Sequence, residues 1–309
     1  MFADDTKLFR EITSDEDRVT LQKDIDSLQN WSNKWLLRFH PDKCKSMTVT
    51  RQQSAYHREY TMTNRDGEAE TSHSLEQVSS MKDLGIVVDS KLNFEEHINQ
   101  KANKANQMMG LVRRSFMYID QENFRWLYKA MVRPHLEYIN SVWSPLRKKD
   151  IATLENVQRR ATKMVPGLKE LSYPDRLRQL KLPSLVYRRI RGDMIETFKI
   201  MQEKYDKEAS PDMSLAIDGH QTRGHRFKLF KRRPNTRLRQ HFFTARITEI
   251  WNSLPSKVVE APSVKAFEHR LDRYWRNQDI IYEYDSDLKI SCHRDINVPS
   301  VSSDSDLDI

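Results

Sequence analysis

Seven glycines in 309 residues constrain this chain more than any other feature. Hairpins and tight turns draw on glycine for their positive-φ positions, so a turn-rich all-β protein is disfavoured and a helix-rich one expected. Hydrophobic residues make up 38% of the chain, enough for a core, and the length leaves room for about two domains. Cys44 and Cys292 lie far apart with no CxxC, which gives neither a disulfide framework nor a zinc ribbon and fits a reducing compartment. No run approaches the roughly 18 apolar residues of a membrane span, and the first residues carry no signal-peptide core. An intracellular protein, nuclear or cytoplasmic and free of the membrane, is expected.

Periodicity divides the chain. Leu21, Ile25, Leu28, Trp31 and Trp35 fall on one helical face, with Ser14 as cap and Asp15, Glu16 and Asp17 in the first turn. "LLRF" and "SMTVT" read as short strands around the turn-forming "HPDKCK", residues 51–74 as a loop or weak hairpin at Asp66-Gly67, and "MKDLGIVVDSKL" as a strand and turn. Beyond Asn93 the pattern is helical. "NFEE" offers Asn93 and Glu96 as a capping box before the stripe Ile98, Ala102, Ala105, Met109, Val112. Further helices are expected at 121–133, broken near Pro134; at 151–165, capped by Asp150 and stopped by Pro166-Gly167; at 184–204; and at about 241–252 and 263–275.

Net charge is +8 and unevenly spread. From Gly219 to Thr248 there is no acid, while Lys231, Arg232 and Arg233 head a series of cations interleaved with Phe227, Phe230, Phe242 and Phe243. Such a mix can neutralise phosphate and stack on bases. It can equally be a solvated loop whose rings close a small core, the reading preferred for Phe242 and Phe243. His220, His225 and His241 lack metal-ligand spacing with either cysteine. The tail "SSDSDLDI" reads as disordered.

"FADDTKL", "LQNWSNKWLLRFHPDKCKSMTV", "LGIVVDSKLNFEEHI", "LYKAMVRPHLEYINSVW", "LENVQRRATKMVPG" and "FFTARITEIWNSLP" with "VVEAPSVKAFEHRL" occur in that order. Together they resemble segments of reverse transcriptases of jockey-like non-LTR (LINE-type) retrotransposons, over most of residues 2–275. The resemblance implies an α+β, helix-rich fold: a partial polymerase palm (helix plus short antiparallel strands) at 1–92, a helical thumb at 93–206, and a small basic C-terminal region with helices at 207–276. An acidic, disordered tail at 277–309 completes the division.

By the same resemblance, Asp4 and Asp5 match the metal-binding motif of the palm, with Mg²⁺ as its ion. Two-metal phosphoryl transfer suits clustered hard oxygen ligands. Lys43 in "HPDKCK" would be the proton donor to the pyrophosphate leaving group, and Leu84, Gly85 and Ile86 the centre of the hairpin that holds the primer end. Arg113, Arg114, Arg159, Arg160, Arg188 and Arg189 become candidate phosphate contacts, with RNA template and RNA–DNA duplex as partners, and dNTP only where the full palm is present. The family's third carboxylate and its fingers precede the "ADD" motif. The chain therefore reads as a C-terminal fragment of an RNA-directed DNA polymerase, inactive alone. A non-catalytic nucleic-acid-binding module and a decayed product without function are the alternatives.

Overall fold

Helix α1 (Asp15–Lys34) starts where its cap residues dictate. Ser14 is extended and its Oγ accepts the Asp17 N–H, while the Asp17 carboxylate accepts the Ser14 N–H at 2.9 Å. This reciprocal pairing satisfies two helix-end donors at once. Hydrogen bonds from Thr13 and Ser14 hold the Asp17 carboxyl at about 2.

The structure is a computed structural model that describes residues 5–50, 59–66, 69–216 and 224–290. It divides into two units, Met1–Phe94 and Glu95–Ile309.

In the first unit three small ladders accompany α1. Strands β2 (Thr61–Asp66) and β3 (Ala69–Ser74) pair antiparallel, from Thr61 opposite Ser74 to Asp66 opposite Ala69. Strands β5 (Ser80–Asp83) and β6 (Ile86–Asp89) form a second antiparallel hairpin. Leu84 (φ 44°) and Gly85 (φ 84°) make its turn, the mirror-image type whose twist matches the strands. β1 (Lys45–Ser46) and β4 (Glu76–Gln77) pair parallel, with Lys45 and Glu76 bridged at 2.9 Å. Helix α1 packs along β2 through side-chain amides. Gln22 accepts from the Thr61 N–H (3.1 Å) and donates to the Thr61 carbonyl (2.9 Å), and Gln29 accepts from the Thr63 N–H (2.8 Å). Residues seven apart lie two helical turns apart on one face, so both amides reach the strand edge.

Three local expectations need correction in this unit. "LLRF" is not a strand: Trp35 caps α1 and Leu36 takes a positive φ of 57°, which turns the chain. The stripe on α1 is only partly covered, for Ile25 is buried while Trp31 and Trp35 stay exposed. Asn93 does not cap the next helix. The Asp89 carboxylate instead accepts the N–H groups of Lys91 (3.0 Å), Asn93 (3.2 Å) and Phe94 (2.7 Å), so the turn is organised from the strand that precedes it.

The second unit is helical: α2 (Glu95–Ser115), α3 (Gln121–Leu127), a π-turn at Tyr128–Val132, α4 (Arg133–Glu137), α5 (Asn140–Trp143), α6 (Lys148–Thr162), α7 (Tyr173–Leu180), α8 (Leu185–Met201), α9 (Arg237–His241), α10 (Phe243–Asn252), α11 (Ser256–Val259) and α12 (Val264–Trp275). Pro134 explains the π-turn. It has no N–H to donate and its ring crowds the preceding turn, and the Arg133 N–H reaches back five residues to the Tyr128 carbonyl. Helix α6 begins at Lys148 behind Arg147, so Asp150 lies inside its first turn, buried, rather than at the cap. The helix ends at Thr162 with Lys163 as its cap, short of the expected stop at Pro166-Gly167, and Gly167, at φ 79°, turns the chain beyond it.

Helix α8 is the hub of this unit. Its inner face (Tyr187, Met194, Phe198) packs against Trp251, Phe267 and Trp275, with Phe198 stacked on Phe267 at 4.4 Å. Its polar positions clasp three other helices: Arg188 bonds Glu137 of α4, Arg191 bonds Asp272 of α12 at 2.6 and 2.8 Å, and Asp193 bonds Arg246 of α10. One core thus joins α8 to α10 and α12, across the division between 206 and 207 expected from the sequence. The tail expected from 277 onward is ordered up to 290. Ile280 is buried in the same core, and Ser184 donates from its N–H and its Oγ to the carbonyls of Ile281 and Ile280, each at 2.6 Å. Ile280, Ile281 and Leu288 are apolar anchors that an averaged acidic composition conceals. Residues 291–309 lie outside the described residues. No helix among the described residues is long and apolar enough to cross a membrane.

Candidate nucleic-acid interface

Positive charge belongs to the helical unit. Residues 1–94 hold 13 Lys and Arg against 16 Asp and Glu, whereas residues 95–309 hold 39 against 28. Charge alone selects no surface, because a cation already paired inside the protein offers little to phosphate.

Exposed cations without protein partners among the described residues sit at the corner between α2 and α3. Arg113 and Arg114 close α2, where the carbonyl end of the helix favours positive charge. Both are exposed and neither has a hydrogen-bond or ion-pair partner among the described residues. The connection that follows exposes Phe116 (45%), Met117 and Tyr118 (74%), then buries Ile119. The Asp120 carboxylate accepts the Asn123 N–H at 2.7 Å and starts α3. On α3, Phe124 is buried and stacked on Tyr128, which turns Trp126 outward at 69% exposure. Two free guanidinium groups and three exposed rings therefore fall within fourteen residues of chain, from Arg113 to Trp126.

The other expected contacts are more committed. Arg159 lies against the rings of Tyr173 (5.1 Å) and Tyr284 (5.4 Å), which meet each other edge-on, and donates to the Tyr284 hydroxyl at 3.2 Å. Arg160 is exposed, with its Nε bonded to the Asn156 carbonyl at 3.2 Å. Arg188 and Arg189 are not surface groups. Arg188 is held by both oxygens of Glu137, and Arg189 is 4% exposed with a guanidinium whose charge burial disfavours. The counter-charge of Arg188 lies 51 residues away, so an Arg-Arg pair on a helix looks solvated until the fold closes over it.

Within the basic stretch, Lys231 pairs with Glu249 (3.4 Å) and Arg232 with Asp212 (3.1 Å), both on the surface. Arg233 is exposed and unpaired among the described residues. Phe243 is buried, but Phe242 stays 48% exposed beneath the Arg239 guanidinium at 4.8 Å, so only one of that pair serves the core. His225 is buried against the Trp251 carbonyl at 3.0 Å. His220 lies outside the described residues.

In the first unit, Asp4 also lies outside the described residues, and Asp5 is exposed. Among the described residues no three His, Cys, Asp or Glu side chains converge to hold a metal ion. Asp5 alone does not make a Mg²⁺ site. Lys43 is exposed at the end of a short 3₁₀ turn, Pro41–Lys43, and its ammonium has no partner among the described residues.

No family model matches this chain, and no solved structure matches it. It is 30% identical over 139 residues to an uncharacterized protein of Caenorhabditis elegans, a stretch that covers 44% of this chain and 69% of that protein. The chain belongs to the family of that worm protein.

Phe116, Tyr118 and Trp126 are absent from the contacts expected from sequence. Their signal is aromatic residues placed off the helical stripe beside a basic helix end, and it can be read only once Ile119, Phe124 and Tyr128 are known to point inward.

Proposed function

We propose that this chain is a nucleic-acid-binding part of a reverse transcriptase of the jockey-like non-LTR type, and that its helical unit holds RNA or RNA–DNA duplex. The observation that carries binding is the α2–α3 corner, with Arg113 and Arg114 free of protein partners beside exposed Phe116, Tyr118 and Trp126. Guanidinium groups exchange counterions for phosphates, and exposed rings stack on unpaired bases without regard to sequence. The six ordered segments that resemble the reverse transcriptase support the family half of the proposal. Mg²⁺ and dNTP enter that half only through Asp4 and Asp5, and the binding half rests on the α2–α3 corner.

The test is an anisotropy titration of a labelled RNA–DNA hybrid with an RNA overhang, repeated across salt. Each phosphate contact adds about 0.7–0.9 to the slope of log affinity against log salt. Arg113→Ala with Arg114→Ala should flatten the slope by roughly 1.4–1.8. Trp126→Ala should weaken overhang binding by about 1–3 kcal/mol with the slope unchanged. Wild-type binding with a flat salt response would defeat the proposal.

A further inference from the structure

The C-terminal strap lies on cations of α6 and α7. After Ile280 enters the core, the chain returns as Tyr282-Glu283-Tyr284-Asp285-Ser286-Asp287, in which rings and carboxylates alternate before a run of acids. The Tyr284 ring lies 5.4 Å from the Arg159 guanidinium, which donates to its hydroxyl at 3.2 Å, and the Tyr173 ring, edge-on to Tyr284 at 6.4 Å, lies 5.1 Å from the same guanidinium. Tyr282 lies under Arg178 at 5.6 Å, and Glu283 accepts from the same guanidinium at 3.2 Å. The base of the strap is clamped. Gln278 and the Lys289 backbone exchange two hydrogen bonds (3.0 and 2.9 Å), and the Lys289 ammonium bonds Asp279 at 2.6 Å. The segment between is half exposed, and the Arg178 and Glu283 side chains each retain 48% exposure.

A ring on a guanidinium beside an anion on the next guanidinium is the pattern that a short single strand presents, base then phosphate. A purely structural strap needs its apolar anchors Ile280, Ile281 and Leu288, but not this alternation on two arginines. We infer that Tyr282–Asp287 is an intrachain plug on a binding site for single-stranded RNA, formed by Arg159, Arg178 and Tyr173. The inference rests on the nucleic-acid reading above and adds a second, masked site with its own occupant. Surface ion pairs are weak. A strand that offers phosphates and bases together can therefore displace Glu283 and the two rings while the anchors remain seated.

The experiment compares full-length variants in an anisotropy titration with a labelled oligouridylate. Glu283→Gln, Asp285→Asn and Asp287→Asn together change only exposed carboxylates and leave the anchors in place. A control removes the same charge elsewhere through Asp304→Asn, Asp306→Asn and Asp308→Asn. Opening the plug should tighten oligouridylate binding about two- to fivefold, the factor expected for release of one exposed ion pair. The tail control should tighten it far less, and Arg178→Ala in the opened background should erase the gain. An equal gain in both triple variants, or none in the opened one, overturns the plug. If the wild type binds through Arg113 and Arg114 and the opened variant binds no better, the plug fails and the reading above stands. An opened variant that binds no RNA at all overturns both.

Discussion

Asp193→Ala should be among the most destabilising single changes in the helical unit. The carboxylate is 9% exposed and meets Arg246 in a two-point bond, Nε to Oδ2 at 2.8 Å and Nη2 to Oδ1 at 2.9 Å. Loss of one partner of a buried pair costs about 3–5 kcal/mol, because the survivor keeps its desolvation penalty. Here the lower end applies, since Arg246 still donates to the carbonyls of His241 (3.0 Å) and Ser141 (2.9 Å). At roughly 2–4 °C per kcal/mol for a unit of this size, a 3 kcal/mol loss lowers the melting temperature by about 6–12 °C.

The same burial makes the intact pair expensive to hold. Desolvation raises the Asp193 carboxyl above the ordinary aspartate range despite Arg246. A carboxyl raised by folding contributes its stability fully below the unfolded value, near 4, and loses it as pH climbs through the folded value. Asp193→Leu with Arg246→Met should therefore recover at least half of the single-variant loss at pH 7 and remove that descending limb. Circular dichroism melts and urea titrations at pH 4 to 8 read both effects. A single variant within about 1 kcal/mol of wild type, well short of the expected loss for a buried pair, would refute the reasoning.

His97 predicts an acid limb of opposite sign. Burial beside Trp143, helped by the Lys101 charge, lowers its value to about 4. Its stabilising contribution is present above the unfolded value near 6.5 and is lost as pH falls toward 4, worth about 2 kcal/mol between pH 7 and 5. His97→Phe should flatten urea midpoints over that interval, and an unchanged slope would remove His97 from the account. Leu84→Gly should stabilise the first unit by about 0.5–1 kcal/mol, since leucine occupies a position with a φ of 44° that glycine adopts without strain; a lower denaturation midpoint would contradict the turn assignment. Gln22→Leu removes both bonds to Thr61 and should cost about 1–3 kcal/mol and speed exchange of the Thr61 amide. Unaltered exchange would show that α1 is not held to β2 by this amide.

Local chemistry made part of this molecule legible in its sequence. Ser14 and Asp17 lie three residues apart and cap α1 as their types require, and the stripe from Ile98 to Val112 is the buried face of α2. Legibility failed where the deciding partner is distant. Asn93 looks like a cap until Asp89 is seen to take the Asn93 N–H that Glu96 would accept in a capping box, and Arg188 looks solvated until Glu137, 51 residues away, closes on it. The strap shows the same limit from the other side, because its acids suggest disorder while Ile280 and the arginines beneath it fix its path. Asp4, the residue on which the polymerase resemblance leans most, lies outside the described residues.

The central claim is that the α2–α3 corner touches nucleic acid, and photocrosslinking tests it most directly. The full-length protein would be irradiated with 4-thiouridine-substituted RNA in an RNA–DNA hybrid, and the crosslinked peptides mapped by mass spectrometry. The account predicts adducts on the peptides that carry Phe116, Tyr118 and Trp126, lost with Arg113→Ala and Arg114→Ala. Adducts confined to residues 5–94, with none between 111 and 126, would contradict it.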